Sequence, residues 1–158
     1  MTNAIRLGPA HARITAALHA ACFEAPWSEV EFARLLEQPG VAGLIWHADT
    51  PDGFILVRAA ADEAEILTLA VAANRRRRGI AARLLNEACR MLRAGGTRRL
   101  LLEVAADNAA ARALYEGCGF AVTGRRAGYY DRGAARRVDA IIMELDFAAQ
   151  GASATPNQ

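Results

Sequence analysis

Residues 66–82 have the sequence ILTLAVAANRRRRGIAA, in which four arginines and a glycine separate two apolar segments. The apolar segment that ends at Val71 is typical of a buried β-strand, and the pattern from Gly79 to about Arg93 predicts a helix. The first N–H groups of a helix lack partners within it, and the helix dipole attracts negative charge there. A strand, a basic loop and a helix N-terminus in this order therefore predict an anion-binding site.

The arginine run 75–78 has three possible interpretations. A block of like charges is usually a solvated loop, and basic clusters also occur in nucleic-acid-binding patches. The position between a buried strand and a helix start favours a third interpretation, a phosphate site, because arginine makes fixed, bidentate contacts with phosphate. Basic residues elsewhere do not alternate with aromatic residues, as single-stranded nucleic-acid binding would favour. We therefore expect no direct nucleic-acid partner.

Length and composition indicate one soluble globular domain. The chain has 158 residues, of which 53% are hydrophobic and 23% charged, and its formal net charge of +2 does not indicate a general polyanion binder. Cys22, Cys89 and Cys118 lack metal-ligand spacing, which predicts free thiols in a reducing compartment and no metal site. Residues 1–10 lack the apolar core of a signal peptide, and no segment approaches the ~20 apolar residues of a membrane span. We therefore expect a cytoplasmic protein without a membrane partner.

The remaining elements predict an α/β fold. Their order, β-α-α-β-β-β-α-β-α-β-β, gives a mixed, mostly antiparallel central sheet of about seven strands with helices on both faces. We expect one domain over residues 1–147 and a disordered tail over residues 148–158, which have little to bury. The predicted strands are Ile5–Leu7, Val41–His47, Phe54–Ala60, one ending at Val71, Leu100–Val104, Phe120–Gly124 and Ala140–Leu145. The predicted helices begin near Pro9, Ser28, Gly79 and Asn108, with Ser28-x-x-Glu31 as a capping box. The segment Arg125–Arg137 is predicted to connect the last two strands.

Three residues after the basic loop are candidates for chemistry. Glu103 lies within the apolar run Leu100–Val104, where a charge is costly unless it is paired. It is either a structural residue, salt-bridged or facing solvent, or a general base whose pKa an apolar site raises. Asn108 is a natural N-cap, and capping alone would explain it. Tyr115 lies two helical turns further on and can face the same cleft as Asn108, although buried tyrosines are often packing residues.

These segments resemble the two signatures of the GNAT acetyltransferases. Arg76-x-x-Gly79-x-Ala81 is similar to the acyl-CoA-binding pattern (Gln/Arg)-x-x-Gly-x-(Gly/Ala). The run from Glu103 to Phe120 is similar to Glu-Val-x-x-x-Asn-x-x-Ala-x-x-Leu-Tyr-x-x-x-Gly-Phe. The resemblance implies a GNAT fold with acetyl-CoA as cosubstrate, its pyrophosphate on the basic loop and its pantetheine arm along the preceding strand. The coenzyme-binding residues that it implies are Leu69, Ala70, Val71, Arg76, Arg77, Arg78, Gly79, Ile80, Ala81 and Asn108.

A narrower resemblance is to the RimI branch of this family, the ribosomal-protein-alanine N-acetyltransferases. It rests on residues 25–28 (Ala-Pro-Trp-Ser), 125–130 and 139–143, and on Glu103 with Tyr115. It implies direct acetyl transfer to the N-terminal amine of a protein, with the N-terminal alanine of a small-subunit ribosomal protein as acceptor. The implied roles are base for Glu103, proton or hydrogen-bond donor to the leaving thiolate for Tyr115, and peptide binding for Trp27, Tyr129 and Tyr130.

Other interpretations stay open at this point. Trp27, Tyr129 and Tyr130 would also suit partly exposed packing positions. The acceptor could instead be a lysine or a small-molecule amine, or the chain could be a non-catalytic coenzyme-sensing or RNA-associated module that uses its arginines alone. Glu103 and Tyr115 argue against such a module, because binding alone requires neither. The three histidines are scattered, and we assign them no role.

Overall fold

The computed structural model describes residues 3–47 and 50–152, with the side chains of residues 150–152 left aside. The strands are β1 Ala4–Arg6, β2 Val41–His47, β3 Pro51–Ala60, β4 Glu63–Val71, β5 Arg99–Ala105, β6 Ala121–Asp131 and β7 Arg137–Asp146. The helices are α1 Ala12–Cys22, α2 Glu29–Glu37, α3 Ile80–Ala94, α4 Ala109–Gly117 and α5 Phe147–Ala152, with short 3-10 turns at Pro9–His11 and Ala73–Arg75.

Within these ranges the strands form one seven-stranded sheet in the order β1-β2-β3-β4-β5-β7-β6. The β4–β5 pair is parallel, and every other neighbouring pair is antiparallel. The predicted mixed, mostly antiparallel sheet is therefore confirmed. None of the helices in the described ranges is long and apolar enough to cross a membrane.

Helices cover both faces of the sheet because its central strands bury alternate residues in two separate cores. On β3, Phe54 packs against Phe32 of α2, with ring centroids 5.7 Å apart, whereas the next residue, Ile55, joins the core that contains Leu84 of α3. These four side chains are fully buried, as expected for strands covered on both faces. Helices α1 and α2 therefore lie on one face, and α3 and α4 on the other.

Two of the predicted helix starts have the expected caps. Ser28 and Glu31 form a capping box before α2: the Ser28 hydroxyl accepts from the Glu31 N–H at 3.2 Å, and the Glu31 carboxylate accepts from the Ser28 N–H at 2.6 Å. The Asn108 side chain accepts from the Ala111 N–H at 3.2 Å and so caps α4.

The final hairpin is longer than the sequence predicted. The segment Arg125–Arg137, expected to be a connection, continues the strands: Arg125 pairs with Ile141 in the β6–β7 ladder, and Tyr130 pairs with Val138. The register shifts between residues 126 and 130, where Gly128 adopts a φ of +57°. This irregularity interrupts the alternation that identifies a strand in a sequence, which explains the difference.

The C-terminal segment also differs from its prediction. Residues 148–152, expected to begin a disordered tail, continue α5, whose first turn is capped by Asp146. The Asp146 carboxylate accepts from the N–H groups of Ala148 and Ala149, at 2.8 and 3.3 Å, and Phe147 is buried in the core. Residues 153–158 of the predicted tail lie outside the described residues.

Candidate active site

A cleft opens where β4 and β5 separate. The two strands pair only at Glu63–Glu65 with Arg99–Leu101, although β4 continues to Val71 and β5 to Ala105. Beyond that point each strand is hydrogen-bonded on its far side alone, to β3 and β7 respectively, so that two free strand edges face each other. The opening between them has a volume of about 1170 Å³. Such an edge can pair with an extended ligand.

The predicted strand end and basic loop form one wall of this cleft. Leu69, Ala70 and Val71 line it, followed by Arg76, Arg77 and the first residues of α3. Gly79 is the N-cap of α3 with a left-handed φ of +75°, and no side chain caps the helix. A Cβ on Gly79 would meet nothing within 4 Å, so the space above it is open. The free N–H groups at this helix start are therefore accessible from the cleft.

The four arginines do not act as one group. Arg75 pairs with the buried Asp52, Nε to Oδ1 at 3.2 Å, and Arg76 Nε donates to the Val71 carbonyl at 3.1 Å. These two side chains fasten the loop to the start of β3 and to the end of β4. Arg77 and Arg78 are exposed and form no ion pair with any residue that the structure describes, but Arg78 is not among the residues lining the cleft. Arg77, with a left-handed φ of +64°, is the guanidinium free to meet a bound anion.

Glu103 lies at the opposite edge of the cleft but not in an apolar site. Its neighbours Leu102 and Val104 belong to the core beneath α3, so strand alternation places Glu103 on the α1–α2 face. The carboxylate is 3.3 Å from the Arg126 guanidinium, and its side chain is 33% exposed. The structure therefore places Glu103 in an ion pair at a partly exposed position and not in an apolar site. A solvated, ion-paired carboxylate at a cleft can still accept a proton.

Tyr115 reaches the cleft from α4. Its ring is 9% exposed and packs edge-on against Phe120, with centroids 5.6 Å apart. Burial raises the pKa of Tyr115 to about 12, with a smaller contribution from Cys118. The phenol is therefore neutral at physiological pH and can donate a hydrogen bond to a developing negative charge. Tyr115 is therefore both a packing residue, through its ring, and a residue that lines the cleft.

Asn108 and the tip of the final hairpin close the far end of the cleft. The Asn108 carbonyl oxygen is occupied by its capping bond, which leaves the amide N–H groups for a ligand. Its neighbour Asp107 pairs with Arg132 of the hairpin at 3.0 Å, and Arg132 lies over the Tyr130 ring, 5.6 Å from its centroid. The hairpin is thus tied to the start of α4.

The three predicted peptide-binding aromatics separate in the structure. Tyr130 lines the cleft, where burial raises its pKa and the charge of Glu103 raises it further. Tyr129 is 49% exposed and lies under the Arg126 guanidinium rather than among the cleft-lining residues. Trp27 packs in the α1–α2 core and does not line the cleft. The structure therefore brings one of the three to Glu103.

Sequence reasoning missed three residues at or behind the cleft. Arg126, the ion-pair partner of Glu103, comes from a segment predicted as a loop, and only its strand register brings it there. Phe23 lines the cleft, and His19, to which we assigned no role, is buried behind it. A histidine four residues before a phenylalanine, a spacing that places both on one helix face, was the available signal. No group of three or more potential metal ligands occurs among the described residues.

This cleft, with a helix N-terminus on one side and a carboxylate and a tyrosine on the other, is found in a chain whose residues 13–120 match the acetyltransferase (GNAT) family. The chain belongs to that family, as its two motifs predicted. Ribosomal protein bS18-alanine N-acetyltransferase of Escherichia coli K12 is 36% identical to it over 120 residues, which are 76% of this chain and 80% of the relative.

Solved structures agree with this assignment. The crystal structure of the ribosomal-protein-S18-alanine N-acetyltransferase from Escherichia coli superposes with a TM-score of 0.85 and 31% identity, covering 92% of this chain and 94% of that one. Arabidopsis thaliana NAA60, crystallised in complex with acetyl-CoA, has a TM-score of 0.77 with 92% and 98% of the two chains covered. At 20% identity, the second comparison supports the fold alone.

Proposed function

We propose that this GNAT enzyme transfers acetyl from acetyl-CoA directly to the N-terminal α-amino group of a protein, within a ternary complex. The acceptor is the N-terminal alanine of a small-subunit ribosomal protein, and the reaction takes place in the cytoplasm. The observation that carries the proposal is the cleft at the β4–β5 separation, which Glu103 and Tyr115 both line. The similarity to bS18-alanine acetyltransferases supports the choice of acceptor.

The coenzyme side of the cleft offers complementary groups along its whole length. The free edge of β4 at Leu69–Val71 can pair with the amides of the pantetheine arm. The uncapped N–H groups at Ile80 and Ala81, with the Arg77 guanidinium beside them, can hold the pyrophosphate. The Asn108 amide lies at the far end of the same cleft and can donate to the arm.

A single carboxylate base suits an α-amine acceptor better than a lysine. Acetyl transfer needs a neutral amine, and the unperturbed pKa is ~7.7–8.0 for an α-amino group and ~10.4 for lysine. Deprotonation at pH 7 costs about 1 kcal/mol for the α-amine but about 4–5 kcal/mol for lysine. One solvated carboxylate, Glu103, is adequate for the smaller cost, taking the proton directly or through a water.

The leaving thiolate forms on the Tyr115 side of the cleft. As the amine nitrogen bonds to the acetyl carbon, the C–S bond breaks and its electron pair stays on sulfur. The Tyr115 hydroxyl donates a hydrogen bond to that sulfur. We assign no acyl-enzyme step, because Cys118, although close to Tyr115, is the C-cap of α4 and burial raises the pKa of its thiol.

The proposed catalytic unit is the single domain 1–147. Phe147 is buried in the core, whereas Ala148 and Ala149 are exposed. A chain ending after residue 147 is therefore expected to retain acetyl transfer.

Peptide acetylation read by mass spectrometry tests the proposal. The enzyme is incubated with acetyl-CoA and peptides that differ only in their first residue, each carrying one internal lysine, and the acetyl group is located by fragmentation. We expect acetyl on the α-amine of the alanine-initiated peptide. Acetyl found only on the internal lysine would overturn the N-terminal assignment. The chain itself contains no lysine, so no enzyme side-chain amine competes as acceptor.

A further inference from the structure

His19 lies at the centre of an aromatic cluster on the α1–α2 face of the sheet. Its imidazole, 4% exposed, is stacked between two rings: Phe23 with centroids 4.3 Å apart and Trp27 with centroids 5.0 Å apart. The Phe32 ring meets it edge-on with centroids 5.3 Å apart, and the Phe54 ring is tilted against it at 6.3 Å. Helix α1 ends at Cys22 and α2 begins at residue 29, so Phe23 and Trp27 both belong to the segment that joins them.

A backbone hydrogen bond fixes the protonation state of this histidine. The Trp27 N–H donates to His19 Nδ1 at 3.0 Å. An imidazole nitrogen that accepts a hydrogen bond carries no proton, so His19 is neutral with its hydrogen on Nε2. A protonated ring would present an N–H to the Trp27 N–H, and the bond would be lost.

The segment held by His19 borders the acceptor side of the cleft. Phe23 lines the cleft, and Cys22, just before it, donates through Sγ to the Val71 carbonyl at 3.5 Å. Glu103 lies on the same α1–α2 face, whereas α3 lies across the sheet. The coenzyme loop reaches this side at Cys22, the last residue of α1, where the Arg76 guanidinium lies 3.8 Å from Sγ. Phe23 and Glu103 both line the cleft, so a peptide whose amine reaches Glu103 can lie against Phe23.

We propose that neutral His19 is a positioning residue for the acceptor: it holds residues 23–28 so that Phe23 completes the acceptor side of the cleft, and its protonation releases them. This inference rests on the proposed function, because the acceptor peptide is the ligand affected. Acceptor binding then falls as His19 becomes protonated, while coenzyme binding stays constant.

The surroundings favour the neutral ring. Burial lowers the pKa of His19, and Glu31 of α2 opposes this by favouring the cation. The rings that pack on it from α2 and β3, Phe32 and Phe54, are uncharged. Stacking on aromatic faces also favours a cation, but it does not replace the lost acceptor. We call the hydrogen bond from the Trp27 N–H to His19, with the segment 23–28 that it holds, the clamp. The folded-state pKa of His19 lies below the ordinary value of 6.5, so the clamp is intact at neutral pH. It opens as the pH falls through that lowered pKa.

Two substitutions separate hydrogen bonding from ring packing. His19→Asn supplies a side-chain oxygen as acceptor without titrating, and His19→Phe keeps a stacking ring without an acceptor. His47→Asn, at an exposed histidine on β2, is the matched control. The KM values of the alanine-initiated peptide and of acetyl-CoA are measured from pH 5 to 8 for each enzyme.

At pH 7.5 we expect His19→Phe to raise the peptide KM about 2- to 12-fold, the size of one hydrogen bond, with the acetyl-CoA KM unchanged. The peptide KM of the wild type and of the control rises at acid pH relative to His19→Asn, because only their clamp titrates. Identical pH profiles for wild type and His19→Asn, or equal changes in both KM values for His19→Phe, would overturn the proposal.

A second measurement needs no acetyl transfer. In a Trp46→Phe background, Trp27 fluorescence is titrated from pH 8 to 5, and we expect a transition that His19→Asn abolishes. A transition that persists in His19→Asn would contradict the clamp. Because this titration requires neither coenzyme nor peptide, it separates failure of the clamp from failure of the proposed acetyltransferase function.

Discussion

Replacing Tyr115 by phenylalanine removes one hydroxyl from the cleft and leaves the buried ring in place. The ring contact with Phe120, at 5.6 Å between centroids, is retained by the variant. The Tyr115 hydroxyl forms no hydrogen bond with the part of the chain that the structure describes, so the folded state loses none. We expect the free energy of unfolding to change by less than about 1 kcal/mol.

The raised pKa determines what this hydroxyl can contribute. With the pKa of Tyr115 at about 12 and that of a thiol near 8.5, full proton transfer to the thiolate is uphill by about 5 kcal/mol. With the unperturbed tyrosine pKa of ~10, the same proton transfer would cost about 2 kcal/mol. A hydrogen bond to a charged group is worth about 1.5–3 kcal/mol. Loss of that bond alone lowers kcat about 10- to 150-fold.

Release of the coenzyme thiol, followed from pH 6 to 10, measures both the rate and the role of Tyr115. Tyrosine ionisation removes no activity in this range because the phenol stays protonated, so Tyr115→Phe has a lower kcat but the same pH profile. A basic limb near pH 8–9 that is present in the wild type and absent from Tyr115→Phe would refute the hydrogen-bond role. A loss of kcat smaller than threefold would refute any direct role.

Two further substitutions probe the two walls of the cleft. Glu103→Gln should lower kcat about 10²- to 10⁴-fold and change the acetyl-CoA Kd by no more than about twofold. The control Glu65→Gln, at an exposed, ion-paired glutamate of β4, should leave kcat unchanged. Equal effects of the two substitutions on kcat in steady-state assays would remove Glu103 from the mechanism. Gly79→Ala should cost about 1–2 kcal/mol of stability in urea titration, because φ is +75°, and should weaken acetyl-CoA binding by calorimetry. Gly96→Ala, at φ +92° with equally open space, should cost similar stability without weakening binding; a Kd unchanged by Gly79→Ala would contradict the phosphate site.

Local signals predicted the parts of this enzyme that short-range physics determines. The apolar run Leu100–Val104 forms β5, which buries Leu100, Leu102 and Val104 in the core beneath α3, and Ser28 with Glu31 caps its helix through contacts three residues apart. The helix predicted from Gly79 begins at Ile80, with Gly79 as its N-cap. Spacing along the chain is sufficient for such features, since their partners are near in sequence.

The rest depended on contacts between distant segments. Arg76 is bound to the Val71 carbonyl and Arg75 to Asp52, so half of the basic run serves the loop rather than a ligand. Glu103 meets Arg126 only through the β5–β7–β6 register, and Trp27 turns into the α1–α2 core through His19. No local periodicity encodes these pairings, because each is set by how the sheet and its helices assemble.

Where β4 and β5 separate, two strand edges in the middle of the sheet have no strand partner. Unpaired strand edges at the rim of a sheet invite pairing with other chains, and proteins usually shield them. Here the flanking helices limit access to this gap, so a thin, extended molecule can enter it while a second sheet cannot. A ligand lying along Leu69–Val71 would act as a missing strand, joining β1–β4 to β5–β7 beyond their three shared residue pairs. Binding would thereby tie the two parts of the sheet together, and by linkage it would raise the thermal stability of the whole domain.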